Sequence, residues 1–421
     1  GKEPSQLKSI FGGSAWEFDK HTGQYYLHLF SKKQPDLNTN NKEVRYAMYE
    51  MMKFWLDKGI SGFRMDVIEL IGKEIDKGII VNGPKLHEYL QEMNKEVLSK
   101  YDLLTVGETN NVTPELGKLY TSEDRNELNM VFTFEHIALD EVRGKSKWDL
   151  KPLNLNELKI VFSKWQMELY GEGWNSLFWN NHDQPRIVSR WGNDKQYRVE
   201  SAKMLATILH MMQGTPYIYQ GEEIGMTNIK FESLEDYRDI ETINMYKERK
   251  SKGYPHEEIL KSIYAKGRDN ARTPMQWNSG AQAGFTKATP WIKVNENYSL
   301  INVEAALKDP NSIFYHYKKL IELRKKLEVV VFGDFHLILE KHEEIFAYVR
   351  KYKNEKLIVL ANFYGNMINI TLPANVADID GKILISNYPN SPDISKELSL
   401  RPFESIVYYE KKQGESHDTN L

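Results

Sequence analysis

Three short apolar runs in this chain each end in an acid. They are Gly62-Phe63-Arg64-Met65-Asp66, Leu103-Leu104-Thr105-Val106-Gly107-Glu108 and Leu177-Phe178-Trp179-Asn180-Asn181-His182-Asp183. An acid that ends a buried strand is expected to be dehydrated and held on rigid backbone. Acids so far apart in sequence meet only if their strands lie side by side with their C-terminal ends together. That is the geometry of a parallel β/α barrel, whose chemistry sits at those ends.

The spacing of the remaining signals fits this arrangement. Val44, Met48, Met51, Met52 and Trp55 recur at helical spacing before the first run. Pro84 opens a second helix carrying Leu86, Leu90, Met93 and Val97, with proline near its first turn. Further apolar runs start near 129 and 215, and helices are expected around 156–170 and 198–213. Right-handed crossovers make such a run of βα units a parallel sheet. Five strands are too few for a closed eight-stranded barrel: either the sheet is open or about three leading units lie outside this sequence.

Past 332 the apolar period changes from 3.6 to 2. Phe335, Leu337 and Leu339, then Ile345, Ala347 and Val349, then Leu357, Val359 and Ala361, then Ile383 and Ile385 alternate with their neighbours between turn signals. The expected fold is therefore α/β: a (β/α)8 barrel represented by about five units, followed by an antiparallel β domain. The expected divisions are 1–41, an irregular piece with one strand; 42–332, barrel; 333–411, β domain; and 412–421, a disordered tail.

Bulk properties exclude several function classes. Basic residues number 56 and acidic residues 59 in a chain of 421, which argues against a nucleic-acid partner. With no cysteine there are no disulfides, no thiolate metal sites and no thiol catalysis. No apolar run reaches the ~20 residues of a membrane span. A reducing, cytoplasmic setting and a monomeric state are expected. Aromatic residues make up 12% of the chain, and such rings pack on the C–H faces of sugars.

The neighbours of the three acids separate them from ordinary ion pairs. Arg64 precedes Asp66 by two residues and so shares its strand face, where a guanidinium would keep that carboxyl ionised. Glu108 ends an apolar run with no cation beside it in sequence, an environment that raises a carboxyl pKa toward that of a general acid. His182 can donate to a sugar hydroxyl. Two carboxyls in such contrasting settings suit glycosidic bond cleavage. A metal on His182 and Asp183 lacks a third ligand at helical spacing. Glu222 and Glu223 read as an ion pair or helix start, and Glu135 and His136 as structural.

These segments resemble the alpha-amylase superfamily of glycoside hydrolases, in its oligo-1,6-glucosidase and dextran glucosidase branch. The resemblance rests on Gly62–Asp66, Val106-Gly107-Glu108 and Asn180-Asn181-His182-Asp183-Gln184-Pro185-Arg186. It extends to Tyr217–Thr227, Gly267–Trp277 and Ser31–Asn38, along nearly the whole chain. It implies Asp66 as nucleophile, Glu108 as general acid/base and Asp183 as stabiliser of the distorted sugar. Arg64, His182 and Arg268 would hold the glucose. Phe11 and Phe30 would wall the pocket, and Val67 goes with α-1,6 linkages where maltases carry threonine. No cofactor is implied within this chain; the family's calcium loop belongs to the leading units. Trehalose-6-phosphate hydrolysis, sucrose isomerisation and a non-catalytic binding role stay open as alternatives.

Overall fold

Local signals set the helix starts in the protein, whose structure is a computed structural model describing residues 1–412. Helix α1 (Lys42–Asp57) begins where the Asn41 side chain accepts from the Glu43 N–H. Helix α2 spans Leu86–Glu96. Helix α3 (Pro114–Thr121) has Thr113 as its cap and proline in its first turn. Helix α4 (Leu155–Glu168) is capped by Asn154. After the short α5 (Ile187–Arg190) comes α6, Arg198–His210. Ten consecutive residues of α6, Ser201 to His210, are buried. A helix covered all round in this way is central packing, not surface.

A small hairpin, β1 (Trp16–Asp19) with β2 (Gln24–Leu27), leads the chain. Then come β3 (Gly62–Met65), β4 (Leu104–Thr109) and β5 (Met130–Thr133), paired in parallel. Strand β6 (Ser176–Leu177) pairs in parallel with β7 (Thr215–Pro216), and a parallel bridge between Val131 and Asn175 joins the two groups. The five run in sequence order with helices between them, as in a β/α barrel. Among the described residues no strand pairs with the outer edge of β3 or of β7.

Some expectations need correction. The runs ending at Asp183 and Gln220 are long apolar segments, but only two residues of each join the ladder. Helix α1 buries Tyr49, Met52 and Leu56, while Met48, Met51 and Trp55 are exposed. Pro84 lies ahead of α2, not in its first turn, and Val97 follows the helix end. The polar stretch 232–264 holds two helices, α7 (Ile240–Ser251, capped by Asp239) and α8 (His256–Lys266). The short α9 (Asp269–Arg272), α10 (Val303–Lys308) and α11 (Ile313–Lys326) follow.

The C-terminal domain has two antiparallel sheets. One is ordered β12 (Lys382–Ser386), β14 (Ser405–Lys411), β10 (Glu355–Asn362), β9 (Ile345–Tyr352), β8 (His336–Ile338). The other pairs β11 (Ile368–Thr371) with β13 (Glu397–Leu400). Alternation in β9 and β10 does not separate core from water, because both faces are buried. Phe346, Tyr348, Leu357 and Val359 pack into a cluster with α6 and α11. Ile345, Ala347, Ile358 and Leu360 pack toward β11 and β13. Arg350, with no exposed surface, donates to the Met211 and Gly333 carbonyls at 2.6 Å each and so fastens β9 to the end of α6. Lys159 of α4 donates to the His342 carbonyl at 2.7 Å. The expected disordered tail from 413 onward lies outside the described residues.

Candidate functional site

The C-terminal end of β3 carries Asp66, the chain turns at Val67, and β4 delivers Glu108 beside it. Val67 has φ 37° and ψ 46°. A β-branched residue in this left-handed region is an outlier costing of order 1–3 kcal/mol, a strain that persists where surrounding structure enforces it. The turn aims the Val67 N–H at Glu108 Oε2, 3.2 Å away. Gly107 allows the approach, since a Cβ there would stand 2.8 Å from Ile68 Cγ2.

Arg64 joins the two acids. Its Nη1 pairs with Asp66 and its Nη2 lies 2.8 Å from Glu108 Oε2. Glu108 thus has a cation beside it in space, contrary to its apolar neighbours in sequence. The acids also differ in exposure: the Asp66 side chain is 71% exposed and that of Glu108 10%. Asp66 is therefore not dehydrated as its strand-end position suggested. Burial pushes the Glu108 carboxyl above its ordinary value and nearby Asp66 adds to the rise, while Arg64 and the Val67 N–H oppose it. The pair is one open, guanidinium-bound carboxylate and one buried acid with a raised pKa, the division a nucleophile and a proton donor need.

A second group converges on Asp183, six residues past β6. The Asn181 side chain accepts from the Asp183 N–H at 2.8 Å and closes the turn. Arg272 pairs with the Asp183 carboxylate and donates to the His182 carbonyl at 3.0 Å. Arg268 Nη1 lies 3.5 Å from the same carboxylate, and its Nη2 is 2.5 Å from Asp239. Burial works against ionisation of Asp239, yet Arg268, Thr242 and Arg272 prevail and hold it below the usual carboxylate range. His182 Nε2 lies 3.4 Å from Asp183 Oδ2.

Rings connect the two groups. The Arg268 guanidinium sits 5.0 Å from the Phe11 ring centroid. Phe11 meets Phe30 edge to face at 5.5 Å. Phe30, Arg64, Asp66 and Val67 line one cleft of about 490 Å³. The expected site residues thus fall into two clusters joined through Phe11 and Phe30.

The structure adds residues that the sequence did not single out. Arg272 follows Arg268 by one helical turn, so the Gly267–Trp277 segment offered the signal as i and i+4 cations. Asp239 lay in a stretch read only as polar. Arg186, 1% exposed, donates to the Asn270 and Ala271 carbonyls at 3.1 and 3.2 Å and so holds the segment bearing both arginines. Other acids prove structural. Glu135 binds Lys164 at 2.5 Å and the Trp165 indole at 2.9 Å, and His136 is bonded to the Phe178 carbonyl. Glu222 opens a short 3-10 helix and accepts from the Tyr317 hydroxyl at 2.6 Å.

Residues 1–333 match the family described as alpha amylase, catalytic domain, and residues 345–407 match the alpha-amylase SusG C-terminal domain. An oligo-1,6-glucosidase of Halalkalibacterium halodurans is 58% identical over 98% of this chain and 76% of its own length. A glucan 1,6-alpha-glucosidase of Streptococcus pneumoniae is 53% identical over 96% of this chain and 75% of its own. The crystal structure of Bacillus licheniformis trehalose-6-phosphate hydrolase superposes with a TM-score of 0.92 at 51% identity, covering 97% of this chain and 76% of that one. The protein belongs to the alpha-amylase family of glycoside hydrolases.

Proposed function

We propose that this chain is a retaining α-glucosidase that removes terminal α-1,6-linked glucose from isomalto-oligosaccharides or dextran-derived oligosaccharides. The observation that carries the reading is the pair Asp66 and Glu108, one exposed and one buried, held by a single guanidinium from Arg64. The named activities of the oligo-1,6-glucosidase and glucan 1,6-alpha-glucosidase relatives support the linkage.

In this mechanism Glu108 protonates the glycosidic oxygen while Asp66 attacks the anomeric carbon. The leaving sugar departs and a glucosyl ester forms on Asp66. Water, deprotonated by Glu108, then cleaves the ester and restores both groups. Asp183, paired with Arg268 and Arg272, faces the positive charge that develops on the ring. Arg64, His182 and Arg268 bind hydroxyls, and Phe11 and Phe30 offer ring faces. No cofactor enters these steps. We place the activity in the cytoplasm, a setting suited to a chain without cysteine, and take the working form to be a monomer; among the described residues no helix is long and apolar enough to cross a membrane.

Trehalose-6-phosphate hydrolysis is the second reading, favoured by the likeness to the solved hydrolase. Initial rates on isomaltose, dextran oligosaccharides, maltose, sucrose and trehalose-6-phosphate discriminate the two. The expected order puts isomaltose first, with α-glucose as the first product by NMR. Trehalose-6-phosphate as the best substrate would replace this reading with the second, and β-glucose as first product would end the retaining mechanism. Val67→Thr is expected to raise the maltose-to-isomaltose rate ratio several-fold. An unchanged ratio would mean that this side chain does not read linkage.

A further inference from the structure

Glu69 is buried, with 2% of its surface exposed, in the short 3-10 turn three residues after Asp66. Its carboxylate points to amides. Oε1 accepts from the Asn110 N–H at 3.1 Å and from Asn111 Nδ2 at 3.0 Å. Oε2 accepts from the Asn111 N–H at 2.9 Å. A buried carboxylate is costly unless its lone pairs are filled, and hydrogen bonds to a charged acceptor are roughly twice as strong as neutral ones. These contacts therefore fix the loop at Asn110 and Asn111, which leaves β4 after Thr109, the neighbour of Glu108.

A second strut reinforces the first. The Asn82 N–H donates to the Glu69 carbonyl at 2.9 Å, and Asn82 Nδ2 donates to the Asn111 carbonyl at 2.8 Å. Tyr120 in turn donates to Asn82 Oδ1 at 3.1 Å. Segment 66–69 and segment 108–111 are thus tied twice, once at the strained Val67 N–H to Glu108 and once through Glu69 to the loop beyond. A shift of that loop would carry the backbone of Glu108 with it, and Glu69 opposes the shift.

We infer that Glu69 is a positioning residue for the general acid: it locks the loop 110–111 to the segment after Asp66 and so aims Glu108. It touches no substrate, being buried. The inference rests on the role proposed for Glu108, and the test separates the two. Departure of a poor leaving group, the glucose of isomaltose, needs the proton that Glu108 delivers. A p-nitrophenolate leaves with little help. In the first step misaiming the acid therefore harms isomaltose and spares the p-nitrophenyl glucoside, whereas general damage to the fold harms both; the second step, in which Glu108 acts as base, is common to the two substrates.

The experiment compares isomaltose with p-nitrophenyl α-glucoside in Glu69→Gln, which places an amide donor against the loop's N–H groups, and in Asn111→Ala, which removes one exposed donor and leaves the core intact. Glu69→Gln is expected to lower kcat on isomaltose about tenfold with KM nearly constant, and to lower the first-turnover (burst) rate of p-nitrophenolate release less than twofold. Asn111→Ala is expected to give the same selectivity at about threefold, and it decides the matter if Glu69→Gln does not fold. In a Glu108→Gln background neither substitution should cost anything further on isomaltose, since coupled positions are non-additive. Equal losses on both substrates, no loss on either, or full additivity with Glu108→Gln would overturn the inference. If Glu108→Gln itself shows no dependence on leaving group, the role of Glu108 fails instead, whatever Glu69 does.

Discussion

Glu108→Gln should reduce kcat on isomaltose by about 10²- to 10⁴-fold, the range that a positioned general acid contributes. The glutamine keeps the shape and still accepts from the Val67 N–H, but it has no proton to give. Rates on p-nitrophenyl α-glucoside should fall far less in the first step, and the glucosyl ester on Asp66 should then accumulate because no base activates water. A burst of p-nitrophenolate followed by slow turnover is the expected trace. The raised pKa of Glu108, caused first by burial and then by Asp66, sets the alkaline limb of the wild-type profile. Above that pKa the acid is lost and kcat/KM falls. Glu69→Gln should leave the limb in place if it alters only aim. Full isomaltose activity in Glu108→Gln would remove this residue from the chemistry.

The fold was legible in the sequence wherever a run of apolar residues ended in a functional group. Gly62–Asp66 and Leu103–Glu108 are read correctly because β4 is buried along most of its length and β3, half-buried, pairs with it, each with its acid at the rim. The runs at 176–183 and 215–220 misled over length, because burial without ladder pairing leaves the same apolar signature. Helices α7 and α8 were hidden for the opposite reason. Their buried faces are narrow, carrying Met245 and then Ile259 and Ile263, so charge dominates the composition. In β9 and β10 the period of 2 was real, but a sandwiched sheet buries both phases. The site splits along similar lines. Acids at strand ends announce themselves; Arg272, Asp239 and Glu69 act through partners 89, 29 and 42 residues away, and such pairings have no local pattern.

Stability should fall as pH drops from 6.5 to 5, by at most about 3 kcal/mol per pH unit. Three fully buried histidines carry the effect. Burial pushes His136 down to about 4, with Arg190 adding to the fall. Burial pushes His210 down to about 3, helped by Arg324, and His316 down to about 3, helped by Lys203 and His210. Each folded value is depressed below the ordinary 6.5. Their contribution is therefore complete above pH 6.5 and is lost as pH falls toward the folded values, because the unfolded chain takes up protons that the folded one refuses. Glu222 works the other way. Burial raises it from 4.5 to about 7, so its contribution is complete at low pH and is lost as pH rises through 7. Glu108, Glu223 and Asp269 are also raised by burial, but less. Three protons against the one of Glu222 leave at most two, fewer by what Glu108, Glu223 and Asp269 take up, and each proton is worth about 1.4 kcal/mol per pH unit. Urea midpoints at pH 7, 6 and 5 measure the slope. His316 and Thr207 share a bond of 2.8 Å, so His316→Gln retains a partner for the threonine while removing the titration. That variant should lose about 1.4 kcal/mol per pH unit from the slope. A wild-type stability that is flat between pH 7 and 5, or a His316→Gln slope equal to the parent's, would show that these imidazoles do not govern acid unfolding.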